Sequence, residues 1–565
     1  MNRRTFLGQG VALGAAAALA PARDAAGAAA TTSPSTAPSA DLSAAGTLAP
    51  AWAAGPKSHW VPLVQTGWNI WATRFVDPPT FTWKPVAGAA GYVVQFALAA
   101  DKQARTVRLD QPAYDMTGDW AALRPGCVDM IGWSVDGRER AISVAWRKRF
   151  WKTSGFDGVR QEPLDYAASL HKNVAYLLAP AKDEVQPYER GLPRSIWSAT
   201  EDSVTGTRRF LAFPALHHPS FVFAFLAYAR TFLDSPRAAD AIQQAKAYGD
   251  WLLQYRLPAD WACALFPFST IQNGKHEGLV EGRNITLFRA ARAGEAMLWL
   301  HRQFKDDRYL AYAKHLADAY VRMQRPDGSW PYRVDPKHGK VVEQYTSNGV
   351  TPARLLGMLE AIEPNDSYRA AREKAIAWMM QNPVRTKRWQ GMFEDIGAQG
   401  AFRNLEHFDV NELIRYCVHY RAQDESYVST AEQLNRYIED QFVVWEEGDP
   451  SIADWCPPCT VLEQYTCYRP MECHTGHWLV SLLALHRATG NQTYLDKAVA
   501  AGNAIVRGQD PESGAYSTWG YDSRFGKSLL MLNWPGCNAV AVEALVQLTN
   551  YLKSPPQSRQ EEQPL

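Results

Sequence analysis

Tyr309-Leu310-Ala311-Tyr312-Ala313-Lys314-His315-Leu316-Ala317-Asp318-Ala319-Tyr320-Val321-Arg322-Met323-Gln324 reads as an amphipathic helix that opens on a tyrosine and closes on a glutamine. Tyr368 to Gln381, Tyr427 to Gln441 and Tyr494 to Gln509 share this form, and Ala238 to Gln254 fits with the tyrosine missing. Three of these helices lead into segments of related character: Asp327-Gly328-Ser329-Trp330-Pro331-Tyr332, Trp389-Gln390-Gly391-Met392-Phe393 and Gly514-Ala515-Tyr516-Ser517-Thr518-Trp519. Ahead of each of the five helices stands a more apolar one, at 219–233, 286–304, 350–362, 408–421 and 475–488. A sixth pair is available from 536–552 near the C-terminal end and 163–180 at the start of the region. The unit is a pair of helices recurring at roughly sixty residues, the mark of a repeat architecture.

Six hairpins of this kind close into a ring, with the apolar helices as an inner barrel and the repeat helices outside. An open solenoid is the alternative. The ring is preferred because six units close and because the first and last helices need each other as partners. The expected fold is therefore mainly α, an (α/α)6 toroid over residues 160–553. Over residues 163–552 the pattern resembles the six-hairpin glycosidase-like superfamily. That resemblance implies carbohydrate as the substrate, and glycoside hydrolases, polysaccharide lyases and sugar epimerases as the range of activities.

Ahead of the toroid, Thr80-Phe81-Thr82-Trp83 and Gly91-Tyr92-Val93-Val94-Gln95-Phe96-Ala97 alternate apolar and polar residues, as half-buried strands do. A further strand, Asp129 to Val135, precedes the turn signal Asp136-Gly137. Trp83-x-Pro85-Val86-x-Gly88-Ala89-x-x-Tyr92, with Pro125-Gly126 before a Trp-containing strand, resembles a fibronectin type III-like β-sandwich, expected over 59–152. Residues 1–30 carry Arg3-Arg4-Thr5-Phe6-Leu7 and then an alanine-rich apolar stretch too short for a stable membrane anchor. This resembles the twin-arginine export signal, so a periplasmic or secreted protein is expected. Residues 31–58, rich in Ala, Ser, Thr and Pro, read as a linker, and 554–565 as a disordered tail.

The formal net charge is +1 and no basic stripe is present, which argues against nucleic acid and against electrostatic membrane binding. No later apolar run is long enough for a transmembrane helix, so no integral membrane segment is expected in the mature chain. Neither a phosphate-cradling glycine loop, a dinucleotide fingerprint nor a Gly-x-Ser-x-Gly elbow occurs, so no cofactor is expected and serine esterase chemistry is disfavoured. The chain carries 21 Trp and 24 Tyr, and flat sugar faces stack on such rings, although a large helical core also uses them. Composition leaves the oligomeric state open.

In such a toroid the loops entering the inner helices converge on one end of the central cavity. Those segments are dense in acids, imidazoles, tyrosines and arginines. Glu343-Gln344-Tyr345-Thr346 and Glu463-Gln464-Tyr465-Thr466 repeat one tetrapeptide two hairpins apart. Hydrolysis of a glycosidic bond uses two carboxyl groups, one protonating the leaving oxygen and one activating water or attacking carbon. Glu343 and Glu463 are therefore a candidate pair, although repeated loops also reuse glutamates as caps. Asp395, between apolar neighbours Phe393 and Ile396, and Asp409, in the first turn of an inner helix, are the other candidate carboxylates.

Between Glu463 and His477 stand Tyr465, Arg469, His474 and His477, a set suited to acid/base work on a hydroxyl-rich or anionic ligand. Arg283, Asn348, Tyr345 and His217 are candidate substrate contacts, and Trp330 and Trp519 candidate sugar platforms. Glycoside hydrolysis is the leading expectation. β-Elimination on a uronate, with Tyr465 or His474 as base and Arg469 neutralising the carboxylate, is the second, and a non-catalytic glycan-binding protein the third. Cys456, Cys459, Cys467 and Cys473 form a cluster that reads as disulfides or structural thiols, with a zinc site as the alternative.

Overall fold

In the computed structural model of the chain, the described residues are 74–98, 104–153, 156, 161–179, 192, 198–201, 208–272, 284–343, 349–390, 404–445, 457–465, 469–518 and 534–554. The export signal, the linker, the tail beyond Ser554, and Arg283, Tyr345, Asn348, Asp395, Cys456, Cys467 and Trp519 lie outside them. The described residues form two compact units, 78–152 in one and 74–77 with 153–554 in the other.

The smaller unit is built from antiparallel strands. Strands β2 (Gly91–Leu98), β3 (Arg105–Leu109), β5 (Gly126–Val135) and β6 (Ala141–Lys152) run in the order β3-β2-β5-β6, while β1 (Thr80–Thr82) pairs with β4 (Ala113–Asp115). Register is fixed by pairs such as Val94 opposite Val107 on one side and Gly132 on the other. The Asp136 carboxylate closes the β5–β6 turn by accepting from the amides of Arg138 and Arg140, both at 2.9 Å. Buried Phe81, Trp83, Trp146 and Phe150 fill the core.

The larger unit is a toroid of six antiparallel helix hairpins. Its outer helices are α1 (Tyr166–Leu178), α3 (Ala238–Gln254), α5 (Asp307–Met323), α7 (Asp366–Met379), α9 (Ser426–Phe442) and α11 (Gln492–Arg507). Its inner helices are α2 (Pro214–Thr231), α4 (Leu287–Phe304), α6 (Val350–Ile362), α8 (Phe408–His419), α10 (Glu472–Thr489) and α12 (Pro535–Lys553). Each inner helix packs on the next, and α12 packs on α2 to close the ring. The sixth hairpin joins the two ends of the region: α12 packs on α1, where Asn173 Nδ2 donates to Asn538 Oδ1 at 2.8 Å.

The repeated tyrosine and glutamine stitch the outer ring. The hydroxyls of Tyr309, Tyr368 and Tyr494 donate to Asp250, Asp318 and Glu432 on the preceding outer helix, at 2.7, 2.7 and 3.0 Å. At the other helix end, Gln324 Nε2 donates to the carbonyls of Gly328 (2.9 Å) and Ala371 (2.8 Å), tying its own loop to α7. Gln509 does the same with Gly514 (2.8 Å) and Ser169 (3.0 Å), tying its loop to α1. Both loop glycines have positive φ, +96° at Gly328 and +78° at Gly514. A Cβ there would lie 2.3 Å from the Lys374 carbonyl oxygen and 2.7 Å from that of Lys172, so no other residue fits without a shift.

That stitching corrects the expectation for Trp330. It is 1% exposed, its indole donates to the Tyr320 carbonyl at 2.9 Å, and it fills the end of its own hairpin. Tyr332, Trp389 and Tyr516, in the related segments, are buried as well. None of these rings offers a face to a sugar.

Connections from inner to outer helix are short (305–306, 363–365 and 490–491 among them), whereas those from outer to inner are long, as at 255–286, 324–349 and 443–471. Each of these long connections leads into the N-terminal end of an inner helix. No helix among the described residues is long and apolar enough to cross a membrane.

Candidate active site

The inner helices carry continuous stripes toward the lumen. Val480, Ala484 and Arg487 of α10 line a cavity at the short-turn end. Helical spacing extends their stripe back through His477 to Cys473, at the start of the helix. The same spacing runs from Arg415 back to Phe408 on α8, and from Arg292 back to Phe288 on α4. These first-turn residues meet at the long-loop end. Phe288 and Phe408 rings lie 6.2 Å apart and cluster with Tyr332, and the His477 ring stands edge-on to Phe408 at 4.8 Å.

Glu463 reaches this end from a two-stranded hairpin, Val461–Leu462 with Pro470–Met471, closed by Glu463 N–H donating to the Arg469 carbonyl at 2.7 Å. Its side chain is 6% exposed, and its Oε1 accepts from Gln464 Nε2 at 3.1 Å. Its charge is felt by the thiols of Cys473 and Cys537, which hydrogen-bond to each other across α10 and α12. Arg469 is half-buried, and burial lowers its pKa.

The other copy of the tetrapeptide is engaged differently. Glu343 ends a strand (Val341–Glu343) paired with Arg333–Val334, and its Oε2 accepts from Arg333 Nη1 at 2.9 Å. That ion pair ties the end of the strand to its neighbour. Tyr465 also turns away: its hydroxyl donates to Gln441 at the end of outer helix α9, and its ring packs on Phe442 at 5.6 Å.

Behind the mouth lies a layer of buried acids and imidazoles. Asp409 is fully buried in the first turn of α8. The Glu406 carboxylate caps that helix, accepting from the amides of Phe408 and Asp409 (3.3 Å), and burial pushes its pKa up to about 8. His407 Nε2 donates to the Leu462 carbonyl at 2.9 Å, and its Nδ1 accepts from Asn411 Nδ2 at 3.1 Å. The amide orientation is set by Ser481, which donates to Asn411 Oδ1 at 2.7 Å, so His407 is the neutral Nε2–H tautomer. Burial lowers its pKa to about 4.

The His474 ring stands edge-on to His407 at 4.8 Å. Burial, and then the neighbouring His407, holds its pKa well below the usual imidazole range. His477 is lowered well below that range by burial and then by Arg415 and Arg292. His217, in the first turn of α2, is lowered to about 3 by burial and by Arg289. Its ring packs so tightly on Gly536 of α12 that a Cβ there would lie 2.4 Å from it.

Sequence reasoning gave no role to Glu472. It opens α10, where its Oε1 accepts from Asn538 Nδ2 of α12 at 2.8 Å and from Thr518 Oγ1 at 2.9 Å. Burial pushes its pKa up to about 8. It borders a cavity of about 20 Å3 between α10 and α11, room for a single water, so it braces the helix layers beside the mouth. The signal available in sequence was an acid at a helix start, which helix dipoles alone explain.

The zinc alternative finds no support in the described part of the cluster. No group of three or more His, Cys, Asp or Glu among the described residues could hold a metal ion. Cys459 and Cys473 are free, and Cys473 meets Cys537, a residue that the sequence sets far from the cluster.

No protein-family model matches the sequence, and no curated protein matches it significantly. Among solved structures, the chain is similar to a family 76 glycoside hydrolase from a bovine Bacteroides thetaiotaomicron strain, at 11% identity and TM-score 0.47, covering 87% of this chain and 99% of that one. A D-mannose isomerase is similar at 11% identity and TM-score 0.49, covering 68% and 97%. Cellobiose 2-epimerase from Spirochaeta thermophila DSM 6192 is similar at 15% identity and TM-score 0.46, covering 69% and 100%. Likeness at this level carries no argument about activity.

Proposed function

We propose that this chain is an exported carbohydrate-active enzyme, a glycoside hydrolase with Glu463 as one of its two working carboxylates. The observation that carries the reading is Glu463 itself. It stands in the hairpin that enters α10, its amide donating to the Arg469 carbonyl, its Oε1 accepting from Gln464, and its charge reaching the thiols of Cys473 and Cys537 at the starts of α10 and α12. In this reading Glu463 takes a proton from water, or attacks the anomeric carbon, while a second carboxylic acid gives its proton to the leaving oxygen. Asp395, which the sequence sets between Phe393 and Ile396 ahead of α8, is the second carboxyl of the proposal. Residues 59–152 serve as an accessory sandwich resembling fibronectin type III, and the twin-arginine pattern accounts for export.

A lyase reading draws on one observation. His217 and His477 are held neutral by burial, the form in which an imidazole can accept a proton. One assay separates the two. The purified mature protein is incubated with a panel of plant, algal and microbial polysaccharides, and reducing ends are followed together with the ultraviolet absorbance of an unsaturated uronate. New reducing ends without that absorbance, abolished by Glu463→Gln, support hydrolysis. Both signals rising together replace it with β-elimination. Glycan binding without either signal would make the toroid a binding protein.

A further inference from the structure

The opposite mouth of the toroid holds a second cavity, of about 450 Å3, lined by all six inner helices. That volume suits a small ligand. Five arginines line it (Arg230, Arg292, Arg354, Arg415 and Arg487), against two glutamates, Glu295 and Glu543. A third glutamate, Glu412, lies buried beside them.

The interior groups form an ionic belt. Arg292 faces Glu295 at 3.4 Å and Glu543 at 3.8 Å, Arg354 faces Glu295 at 3.6 Å, and Glu412 pairs with both Arg354 and Arg415. Three cations and three anions cancel there. Arg230 and Arg487 remain in surplus, stacked over Trp299 at 5.2 Å and over Tyr551 at 5.3 Å.

The inner helices end here, and their carbonyl dipoles explain a cation in a last turn, as at Arg230 and Arg487. They do not explain Arg354 and Arg415, which stand inside their helices. The Nε atoms of Arg354, Arg415 and Arg487 are buried and make no hydrogen bond among the described residues. Burial first, and then neighbouring arginines, lower Arg354 and Arg415 to about 10, while Glu295 and Glu543 act the other way.

We propose that this cavity is an oxyanion-binding site, separate from the long-loop mouth, that takes a small ligand bearing a carboxylate or phosphate group between Arg487 and the belt arginines. Guanidinium forks match such groups bidentately, and Trp299 and Tyr551 give the rest of the ligand an aromatic wall.

The test is thermal unfolding of the full mature chain titrated with inorganic phosphate or with sodium glucuronate, each against sodium chloride at equal ionic strength. A ligand that binds only the folded state raises the midpoint with concentration. A saturable rise with phosphate, with glucuronate, or with both is expected, the pattern separating a phosphate from a sugar acid. Arg487→Gln, at a half-buried position, should weaken the response about tenfold while leaving the midpoint in chloride unchanged. Arg230→Gln, at an exposed position, serves as a second variant. No saturable rise with either anion, or a rise that both variants leave intact, overturns the proposal. Neither readout uses turnover, so this result stands apart from that of the hydrolase assay.

Discussion

Glu472→Gln should leave the protein less stable in mild acid and more stable at alkaline pH. Glu472 is buried, with a carboxyl pKa of about 8 in the folded chain against 4.5 in the ordinary case. The folded state therefore keeps a proton that the unfolded state releases above pH ~4.5, and stability is full below that pH and falls as pH rises toward 8. Each pKa unit corresponds to about 1.4 kcal/mol, so this one group removes roughly 4 kcal/mol between pH 4.5 and 8. Glutamine cannot ionise, and its oxygen can still accept from Asn538 and Thr518. Its amide would stand where Oε2 has no hydrogen-bond partner among the described residues, at a cost of about 1–2 kcal/mol. The variant should lose that amount at pH 4.5 and gain about 2 kcal/mol over the parent at pH 8, with the two stability curves crossing between. Urea unfolding followed by far-ultraviolet circular dichroism at pH 4.5, 6 and 8 measures both curves. Parallel curves would refute the reasoning, because Glu472 would then be ionised in the folded protein.

Further expectations follow from single contacts. Glu463→Gln should reduce turnover about 100-fold or more while leaving the unfolding midpoint within a degree or two, as loss of one acid/base group does; unchanged kcat would remove Glu463 from the reaction. Gln324→Ala should cost about 1–2 kcal/mol, because the carbonyls of Gly328 and Ala371 lose their donor. Gly328→Ala should cost more than Gln324→Ala, since it adds a left-handed backbone penalty to a collision with the Lys374 carbonyl; chemical denaturation gives the order, and the reverse order would count against the stitching. Arg354→Met breaks the ionic belt from one side and leaves Glu412 without one of its two cations, so a loss of about 3–5 kcal/mol is expected in the same measurement. A loss under 1 kcal/mol would mean that Arg415 alone neutralises Glu412.

The ring was legible because its stitches are written in the sequence. The tyrosine that opens four outer helices and the glutamine that closes them recur because copies reach equivalent atoms on a neighbour, as Tyr309, Tyr368 and Tyr494 do with Asp250, Asp318 and Glu432, and Gln324 and Gln509 with Ala371 and Ser169. The sixth hairpin was legible for a related reason: one helix at each end of the region lacked a partner. Packing direction was less legible. Trp330 follows a repeat helix and carries a large flat ring, which suits a sugar and a hairpin end equally well in one dimension. Only the third dimension, with Tyr320 offering its carbonyl at 2.9 Å, decides for the hairpin.

The site resisted reading for an electrostatic reason. Glu343 and Glu463 begin the same tetrapeptide, yet one is clamped by a buried arginine and the other bonds to its neighbouring glutamine. The clamp on Glu343 comes from Arg333, ten residues before it on the paired strand. Inner-helix starts also attract acids for structural reasons. Glu406 caps α8 and Glu472 braces α10 against α12, so acid density in those loops overstates the number of reacting groups. A repeated tetrapeptide therefore does not carry a repeated role, and Glu343 and Glu463 are told apart by the partners that the fold brings to each.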